Sequence, residues 1–177
     1  MRHARPLLAI AVSLAIAACG GGGTPAVADT GSATSPPAVA RAIDAVSGTL
    51  TDPAGGARCA GNDVRIARDH FELVIEGDCG EVAVTASNGA VNVSGATSIR
   101  VEGSHVTVLN ERVGAVEVSG SDNTLNLTHV GPLTVSGDNN LVLAREIASV
   151  AFSGHGNTAN PDNAPPLQDS GSGNKLM

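Results

Sequence analysis

Three features of the sequence predict an all-β fold in which the chain coils into a β-solenoid. Short segments alternate aliphatic and other residues, a pattern of period two that is typical of strands. Equivalent aliphatic positions recur every 17 residues through the second half of the chain. Gly and Asn recur at the same spacing, which indicates that one short structural unit of 17 residues is repeated and stacked.

The alternating segments begin at Val64 and continue to Phe152. Each is an aliphatic-x-aliphatic triplet followed by Gly or a polar turn. Because alternate side chains of a strand point to the same face, both aliphatic members of a triplet are expected to point into the core. The triplets are bounded by Val64/Ile66, Leu73/Ile75, Val82/Val84, Val91/Val93, Ile99/Val101, Val106/Val108, Val116/Val118, Leu125/Leu127, Leu133/Val135, Leu141/Leu143 and Val150/Phe152.

The 17-residue spacing aligns these triplets in successive turns. One turn cannot bury its own aliphatic side chains, so each strand must pair with its equivalents in the turns on either side. A turn of this length has room for two or three short strands of about three to four residues each. The clearest aligned series is Val82, Ile99, Val116, Leu133 and Val150.

Two polar columns follow the same spacing. The Gly column comprises Gly103, Gly120, Gly137, Gly154 and Gly171, with Ala86 in the place before them. The Asn column comprises Asn123, Asn140, Asn157 and Asn174. Gly is predicted to permit a positive φ or a tight corner. Stacked Asn side chains are predicted to form an amide hydrogen-bond ladder, and the alternative is a polar stripe that binds a ligand.

The core must be aliphatic, because the chain has no Trp or Tyr and only two Phe. The repeat is interrupted between Asn160 and Pro166, where Pro is expected to exclude a ladder strand. It resumes at Gly171 and Asn174, which predicts a closing turn.

The N-terminal residues 1–18 have the organisation of an export signal. Arg2 and Arg5 precede an uncharged run from Leu7 to Ala18, which at 12 residues is too short to span a bilayer. The run ends in Ile16-Ala17-Ala18-Cys19, which resembles the lipobox of bacterial lipoproteins. That resemblance implies acylation of Cys19, which would become the mature N-terminus. The alternative is an ordinary secretory peptide with an incidental Cys.

Acylation would anchor the protein to a membrane without a transmembrane helix. Gly20 follows the Cys, whereas Asp at this place resembles a signal for retention in the inner membrane. In a bacterium with two membranes, the sequence therefore favours the outer membrane.

Composition divides the rest of the chain into three segments. Residues 19–40 are rich in Gly, Pro, Ser, Ala and Thr and are predicted to be a disordered tether. Residues 41–58 are interpreted as a capping segment; Ala38–Val46 is either a short helix or more tether. Residues 59–177 form the predicted solenoid.

With Cys19 assigned to the lipid, Cys59 and Cys79 remain. An even pair in an oxidising compartment predicts a disulfide. A metal site is the alternative, but two Cys without a nearby pair of His make a poor ligand set. We therefore predict no metal and no cofactor.

The run from Cys59 to Leu176 resembles the bacterial family known as domain of unknown function 3060. The shared features are the recurring V-x-G-x-x-N-x-V/L pattern, the early Cys59 and Cys79, and the GSGN ending at Gly171 to Asn174. The resemblance implies a β-helix-like repeat domain in an exported bacterial protein, and it implies no activity. Ala86 and Val106 stand where the pattern has Gly and Asn, so the first turns are expected to be irregular.

Reactive residues are present but are not arranged in a recognisable catalytic motif. Carbohydrate-active β-helices need carboxylates that converge on a metal or a glycosidic bond, with a basic or acidic partner, and the candidates are Asp122, Asp138, Glu117, Glu102 and Arg100. Asp122 and Asp138 are expected to stack about one turn apart and could weakly attract Ca²⁺, although Asp is common in turns. The four His in the repeat region, His70, His105, His129 and His155, are interpreted as solvated turn residues. Sugar binding would also favour aromatic platforms, which the chain almost lacks.

The sequence leads to a non-catalytic envelope lipoprotein whose solenoid acts as a scaffold or an interaction surface. The net charge of −7 argues against a nucleic-acid partner. The expected partners are the membrane, through the lipid anchor, and an envelope protein or glycan. The alternatives are a carbohydrate-active enzyme that uses the turn carboxylates and an adhesin that binds glycans or surfaces.

Overall fold

The computed structural model describes residues 48–177. The predicted signal peptide, Cys19, the predicted tether, Ala38–Val46 and residues 41–47 of the predicted capping segment lie outside the described residues.

The described residues form eleven strands, and the all-β prediction is confirmed. Every pairing between strands is parallel, as a stack of coils requires. The strands are β1 (Thr49–Thr51), β2 (Ala57–Arg58), β3 (Asp63–Ile66), β4 (Glu72–Val84), β5 (Gly89–Val101), β6 (Val106–Val118), β7 (Thr124–Val135), β8 (Leu141–Phe152), β9 (Thr158–Pro161), β10 (Leu167–Asp169) and β11 (Lys175–Leu176).

Pairing follows chain order, from β1 through β3 to β9 and then to β11, while β2 pairs with β4 and β10 pairs with β8. Residues 48–58, the described part of the predicted capping segment, contain β1 and β2 and thus join the sheet.

Each central turn consists of one long strand and one short connection. Strands β4 to β8 contain 12 or 13 residues, whereas two or three separate short strands were predicted. The prediction of separate strands was wrong because the backbone keeps its ladder hydrogen bonds while it changes direction. The ladder therefore follows most of each turn.

The 17-residue spacing is confirmed from Val82 onward. Val82 pairs with Ile99, and the series continues through Val116 and Leu133 to Val150. Earlier spacings differ: Val64 pairs with Val82 and Leu73 with Val91, 18 residues apart, and β1 pairs with β3 at a separation of 14 residues. The register shifts between Ile75 and Asp78, where Gly77 has a φ of 83°. This bulge is the irregularity expected in the first turns.

Aliphatic side chains fill the interior in columns, and most predicted triplets point inward. The prediction fails for Leu141 and Leu143, which are only half-buried, whereas Val142 and Ala144 are buried. The 17-residue register explains the difference, because Leu125 pairs with Val142 and Leu127 pairs with Ala144. Residues 141–143 are Leu, Val and Leu, so the local sequence does not show which of them point into the core.

A further interior column was not predicted. Its members face inward from the corner at which each long strand bends, and they do not belong to an alternating triplet. Cys79 pairs with Ala96, which pairs with Val113, and the column continues through Val130 and Ile147. Its largest members are buried, so a third side of each turn contributes to the core.

Pro161 is the buried last residue of β9 and pairs with Ala144. The predicted interruption therefore starts two residues later, at Asp162, and the 17-residue register is kept because Leu167 pairs with Val150. Pro is tolerated at this place because it ends the strand, next to residues that leave the ladder.

Candidate functional site

The predicted Gly and Asn columns meet in a four-residue corner that is repeated in successive turns. We call this element the glycine corner, and it starts at a Gly of the column. The first corner ends at Val106 and the later ones at the Asn column. The corners are residues 103–106, 120–123, 137–140, 154–157 and 171–174.

Glycine is required at the start of the corner because adjacent turns approach closely there. A Cβ on Gly137 would overlap the carbonyl oxygen of Gly120, and a Cβ on Gly120 would overlap that of Gly103. None of the five column glycines has a positive φ, so the positive-φ interpretation of this column was wrong and the tight corner was right.

The Asn side chain of one turn closes the glycine corner of the turn before it. Asn140 donates from Nδ2 to the carbonyl of Gly120 over 2.9 Å, and its Oδ1 accepts from the backbone N–H of Asn123 over 3.1 Å. Asn157 and Asn174 make the same pair of bonds one and two turns later. Asn123 bonds Gly103 and Val106 in this way. The column thus satisfies backbone groups that strand pairing leaves free.

The positive φ lies two residues after the Gly. His105, Asp122 and Asn139 have φ values of 58°, 58° and 56°, and Gly156 and Gly173 continue the column. Asn, Asp and His tolerate the left-handed region better than other non-glycine residues. The sequence did contain this signal, because only His, Asp, Asn and Gly occupy the position. His105 therefore has a backbone role as a turn residue.

The residue after the corner Gly forms an outer hydrogen-bonded column. The N–H of Ser104 donates to Ser87 Oγ over 3.0 Å, and the N–H of Ser121 donates to Ser104 Oγ over 3.2 Å. Asp138 and His155 continue the column, with the N–H of His155 donating to Asp138 Oδ1 over 2.7 Å. The polar side chains of this edge are thus engaged with the backbone of the next turn.

Asp138 and His155 also meet through their side chains, with 3.2 Å between Oδ1 and Nδ1. The pKa of Asp138 lies below its ordinary value, chiefly because of the hydrogen bond from the backbone N–H of His155. Ser121 Oγ accepts from the N–H of Asp138 over 3.4 Å and is not bonded to the imidazole. A serine nucleophile needs its hydroxyl bonded to a base, which this arrangement does not provide.

The two turn carboxylates do not stack as expected. Asp122 belongs to the left-handed column, while Asp138 belongs to the outer column. The N–H of Asp122 donates to the carbonyl of Asp138 over 3.0 Å, which fixes this offset. Within residues 48–177, no group of three His, Cys, Asp or Glu side chains could hold a metal ion.

The other predicted candidates gather around Arg100. Its guanidinium bonds Glu81 in the turn before and lies 3.5 Å from Glu102. The hydrogen bond from Arg100 to Glu81 raises the pKa of the Arg, and Glu102 and Glu117 add smaller electrostatic effects. The cluster borders a depression of about 230 Å³. Its carboxylates surround a cation, so they do not converge on open space as a hydrolytic pair would.

Two further side-chain contacts join turns at the corner where the long strands bend. Arg112 reaches over Gly95 to Asp78, two turns away, with 2.8 Å between nitrogen and oxygen. In the following turns, His129 Nδ1 lies 3.3 Å from Glu146. These side chains are well exposed, and such pairs contribute little to stability.

Cys59 and Cys79 are joined in a disulfide and are both buried. Cys79 starts the interior column that continues through Ala96 and Val113, and Cys59 directly follows β2. The bridge therefore attaches the first described turn to the core.

On one side of the solenoid, strands β5 to β9 present outward columns without charged side chains, flanked by Glu72 of β4 at one end and Lys175 of β11 at the other. We call this surface the Asn/Leu face. Its two outward columns come from the first half of each of five consecutive strands, β5 to β9. The columns are Asn92, Leu109, Asn126, Leu143, Asn160 and Ala90, Thr107, Thr124, Leu141, Thr158. Sequence reasoning missed this face, because it treated outward residues only as the complement of the core.

Residues 48–177 include no helix with the length and apolarity needed to cross a bilayer.

Part of the chain matches a protein-family model. No curated protein and no solved structure matches the chain. The matched segment starts at Val118, after the irregular early turns, and includes the glycine corners 120–123, 137–140 and 154–157. Residues 118–173 match the family described as protein of unknown function (DUF3060), which confirms the resemblance predicted from the repeat motif.

Proposed function

We propose that the protein is a lipid-anchored component of a bacterial envelope, whose solenoid is a rigid, non-catalytic scaffold or interaction surface. The observation that carries this proposal is the use of polar side chains in the turns. Side chains of the Asn column and the outer column hydrogen-bond to the backbone of neighbouring turns, and these bonds join one turn to the next.

Rigidity follows from the continuity of these bonds. Parallel pairing connects every turn from β3 to β9, and the buried columns of aliphatic side chains run through the same turns. A solenoid of this kind gains stability from contacts between neighbouring turns, so its outer faces can vary without loss of the fold. That property suits a protein that presents a surface.

The non-catalytic part of the proposal is supported by the positions of the candidate groups. The candidate groups lie in different columns of the solenoid: Asp138 with His155, Arg100 with its neighbouring carboxylates, and His129 with Glu146. Each group already has a hydrogen-bonding or oppositely charged partner in a neighbouring turn. The carbohydrate-active enzyme that the sequence left as an alternative would require two carboxyl groups on either side of a substrate bond.

The anchor is supported by the Ile16-Ala17-Ala18-Cys19 sequence and the uncharged run before it. Acyl chains on Cys19 would hold the solenoid at a membrane surface through residues 19–40. Gly20 favours delivery to the outer membrane in a bacterium that has two membranes.

The full chain, expressed in a bacterium and partitioned in Triton X-114, tests the anchor. Wild-type protein should enter the detergent phase and incorporate labelled palmitate. Cys19→Ala should incorporate no label, whereas Ser13→Ala in the same segment should be labelled as wild type is. Equal incorporation of palmitate by wild type and Cys19→Ala would refute lipid anchoring at this residue.

A further inference from the structure

We propose that the Asn/Leu face binds an extended, uncharged, β-linked glycan strand. This inference rests on the proposed function as an envelope surface protein and names the partner class and the binding face. The charge of the face supports this partner class. The chain has a formal net charge of −7, yet both columns of the face consist of Asn, Thr, Leu and Ala. A face that is kept neutral on an acidic protein suits a partner without charge.

The chemistry of the face alternates from turn to turn. In the first column, Asn92 pairs with Leu109, Leu109 with Asn126, and Asn126 with Leu143, which pairs with Asn160. Amide groups thus recur every second turn, and aliphatic groups fill the turns between them. With about 4.8 Å between adjacent strands, the chemical repeat is about 9.6 Å. A periodic face favours a periodic partner, and this repeat suits the disaccharide unit of an extended β-linked glycan.

Both components of the column are accessible. Leu109 is 39 % exposed, and the outward Asn residues are exposed beside it. A sugar ring has an apolar face and hydroxyl groups at its edge. Leu109 and Leu143 provide apolar platforms in place of aromatic rings, and the amides of Asn92, Asn126 and Asn160 provide donors and acceptors. The Thr hydroxyls of the second column add hydrogen-bonding groups along the same direction.

A depression of about 310 Å³ lies where this face meets the bend of the long strands. Its outward-facing lining includes Asn126, Leu143 and Asn160, with Arg145 and Asp162 at one side. Within the depression, the amides of Asn126 and Asn160 lie on opposite sides of the aliphatic Leu143 side chain. One sugar unit needs such an arrangement, with an apolar surface between two hydrogen-bonding groups.

The size of the face argues against a second copy of the chain as the occupant. Five strands span about 20 Å, and the outward residues of each cover about 13 Å, which together give roughly 300 Å². A stable protein interface buries about 800 Å² on each partner and is usually anchored by Trp, Tyr or Arg. A narrow polymer can run along the stack without a larger area.

Pelleting of the full-length protein in detergent with chitin or cellulose particles tests the proposal. We expect wild type to be depleted from solution and Asn126→Asp/Leu143→Asp to bind at least about tenfold more weakly, because unpaired carboxylates would have to be desolvated against the glycan. Thr134→Asp/Ala151→Asp, which adds the same charge on another outward column pair, should bind like wild type. Circular dichroism should show the same strand content in all three proteins.

Failure of wild type to bind either glycan, or equal weakening by both double variants, would overturn the inference. A change in oligomeric mass of Asn126→Asp/Leu143→Asp without glycan binding by wild type would assign the face to self-association instead. Detergent partitioning of the same samples distinguishes this failure from that of the proposed function. Release of reducing ends from the particles would refute the non-catalytic role.

Discussion

Asn157 Oδ1 accepts two hydrogen bonds from Asn140, one from its backbone N–H at 2.9 Å and one from its Nδ2 at 3.0 Å. Asn123, Asn140 and Asn157 are therefore each both a side-chain acceptor for the turn before and a backbone donor to the turn after. Asn140 and Asn157 are each 1 % exposed, so no water can replace these bonds without rearrangement of the corner. Four predictions follow from this and the related contacts.

Replacement of Asn140 by Ala should destabilise the solenoid by about 2–4 kcal/mol. The carbonyl of Gly120 and the N–H of Asn123 would both lose a partner in a buried place, and each unsatisfied group costs about 1–3 kcal/mol. Urea denaturation followed by circular dichroism measures the free energy of unfolding. Asn174→Ala is the matched control, because Asn174 is only partly buried and its loss should cost less. Equal costs at both positions would contradict a role that depends on burial.

Gly137→Ala should be more destabilising than Gly77→Ala. At Gly137 the added Cβ would overlap the backbone carbonyl of Gly120 in the turn before, so the two turns would have to move apart. At Gly77 the Cβ would have open space, and only the positive φ of 83° is unfavourable, at about 1–2 kcal/mol. Urea midpoints of the two variants provide the comparison. The reverse order would show that backbone conformation, and not the approach of turns, selects the column glycines.

Loss of the disulfide in Cys59→Ala/Cys79→Ala should lower the free energy of unfolding by about 3 kcal/mol, according to the chain-entropy treatment of a loop with a sequence separation of 20. The effect should match that of reduction of the wild type with dithiothreitol. Amide hydrogen exchange should show the largest loss of protection in β2 and the adjacent part of β4, which the bridge joins. Protection lost mainly in β8 and β9 would contradict this placement.

Asp52 should make stability depend on pH at the first described turn. Its carboxylate accepts from the N–H groups of Ala67 at 2.7 Å and Arg68 at 3.0 Å. The bond from Ala67, followed by that from Arg68, lowers the pKa of Asp52 below its ordinary value. The carboxylate then stabilises the fold above the unfolded-state pKa of about 3.9, and the contribution is lost as the pH falls through the folded-state pKa.

Asp52→Asn keeps a side-chain oxygen for both N–H groups but removes the charge. Wild type should therefore be more stable than Asp52→Asn at pH 7, and the difference should close as the pH is lowered from about 5 to below the pKa of folded Asp52. Urea denaturation at a series of pH values measures this difference. A difference that stays constant down to pH 2.5 would refute a carboxylate effect.

Much of the fold could be predicted because its repeat is short and its requirements are strict. Gly120, Gly137 and Gly154 had to be recognisable, since no other residue fits where two turns approach. The same applies to Asn140 and Asn157, whose two hydrogen bonds need an amide of this length. The triplet at Leu141/Leu143 was misassigned because a continuous aliphatic run fits either face, and only the pairing of Leu125 with Val142 decides between them.

By itself, the sequence determined the strand class, the 17-residue register, the Gly and Asn columns and the DUF3060 resemblance, because each repeats a residue type that one local contact demands. Only the tertiary structure decided what shares a side of the solenoid. The carboxylate of Asp138 meets the His155 ring and not the carboxylate of Asp122. Arg112 reaches Asp78 over Gly95, and Asn126 lies between Leu109 and Leu143. These neighbours are about one turn or more apart in the chain, and they become adjacent only because parallel strands stack at about 4.8 Å.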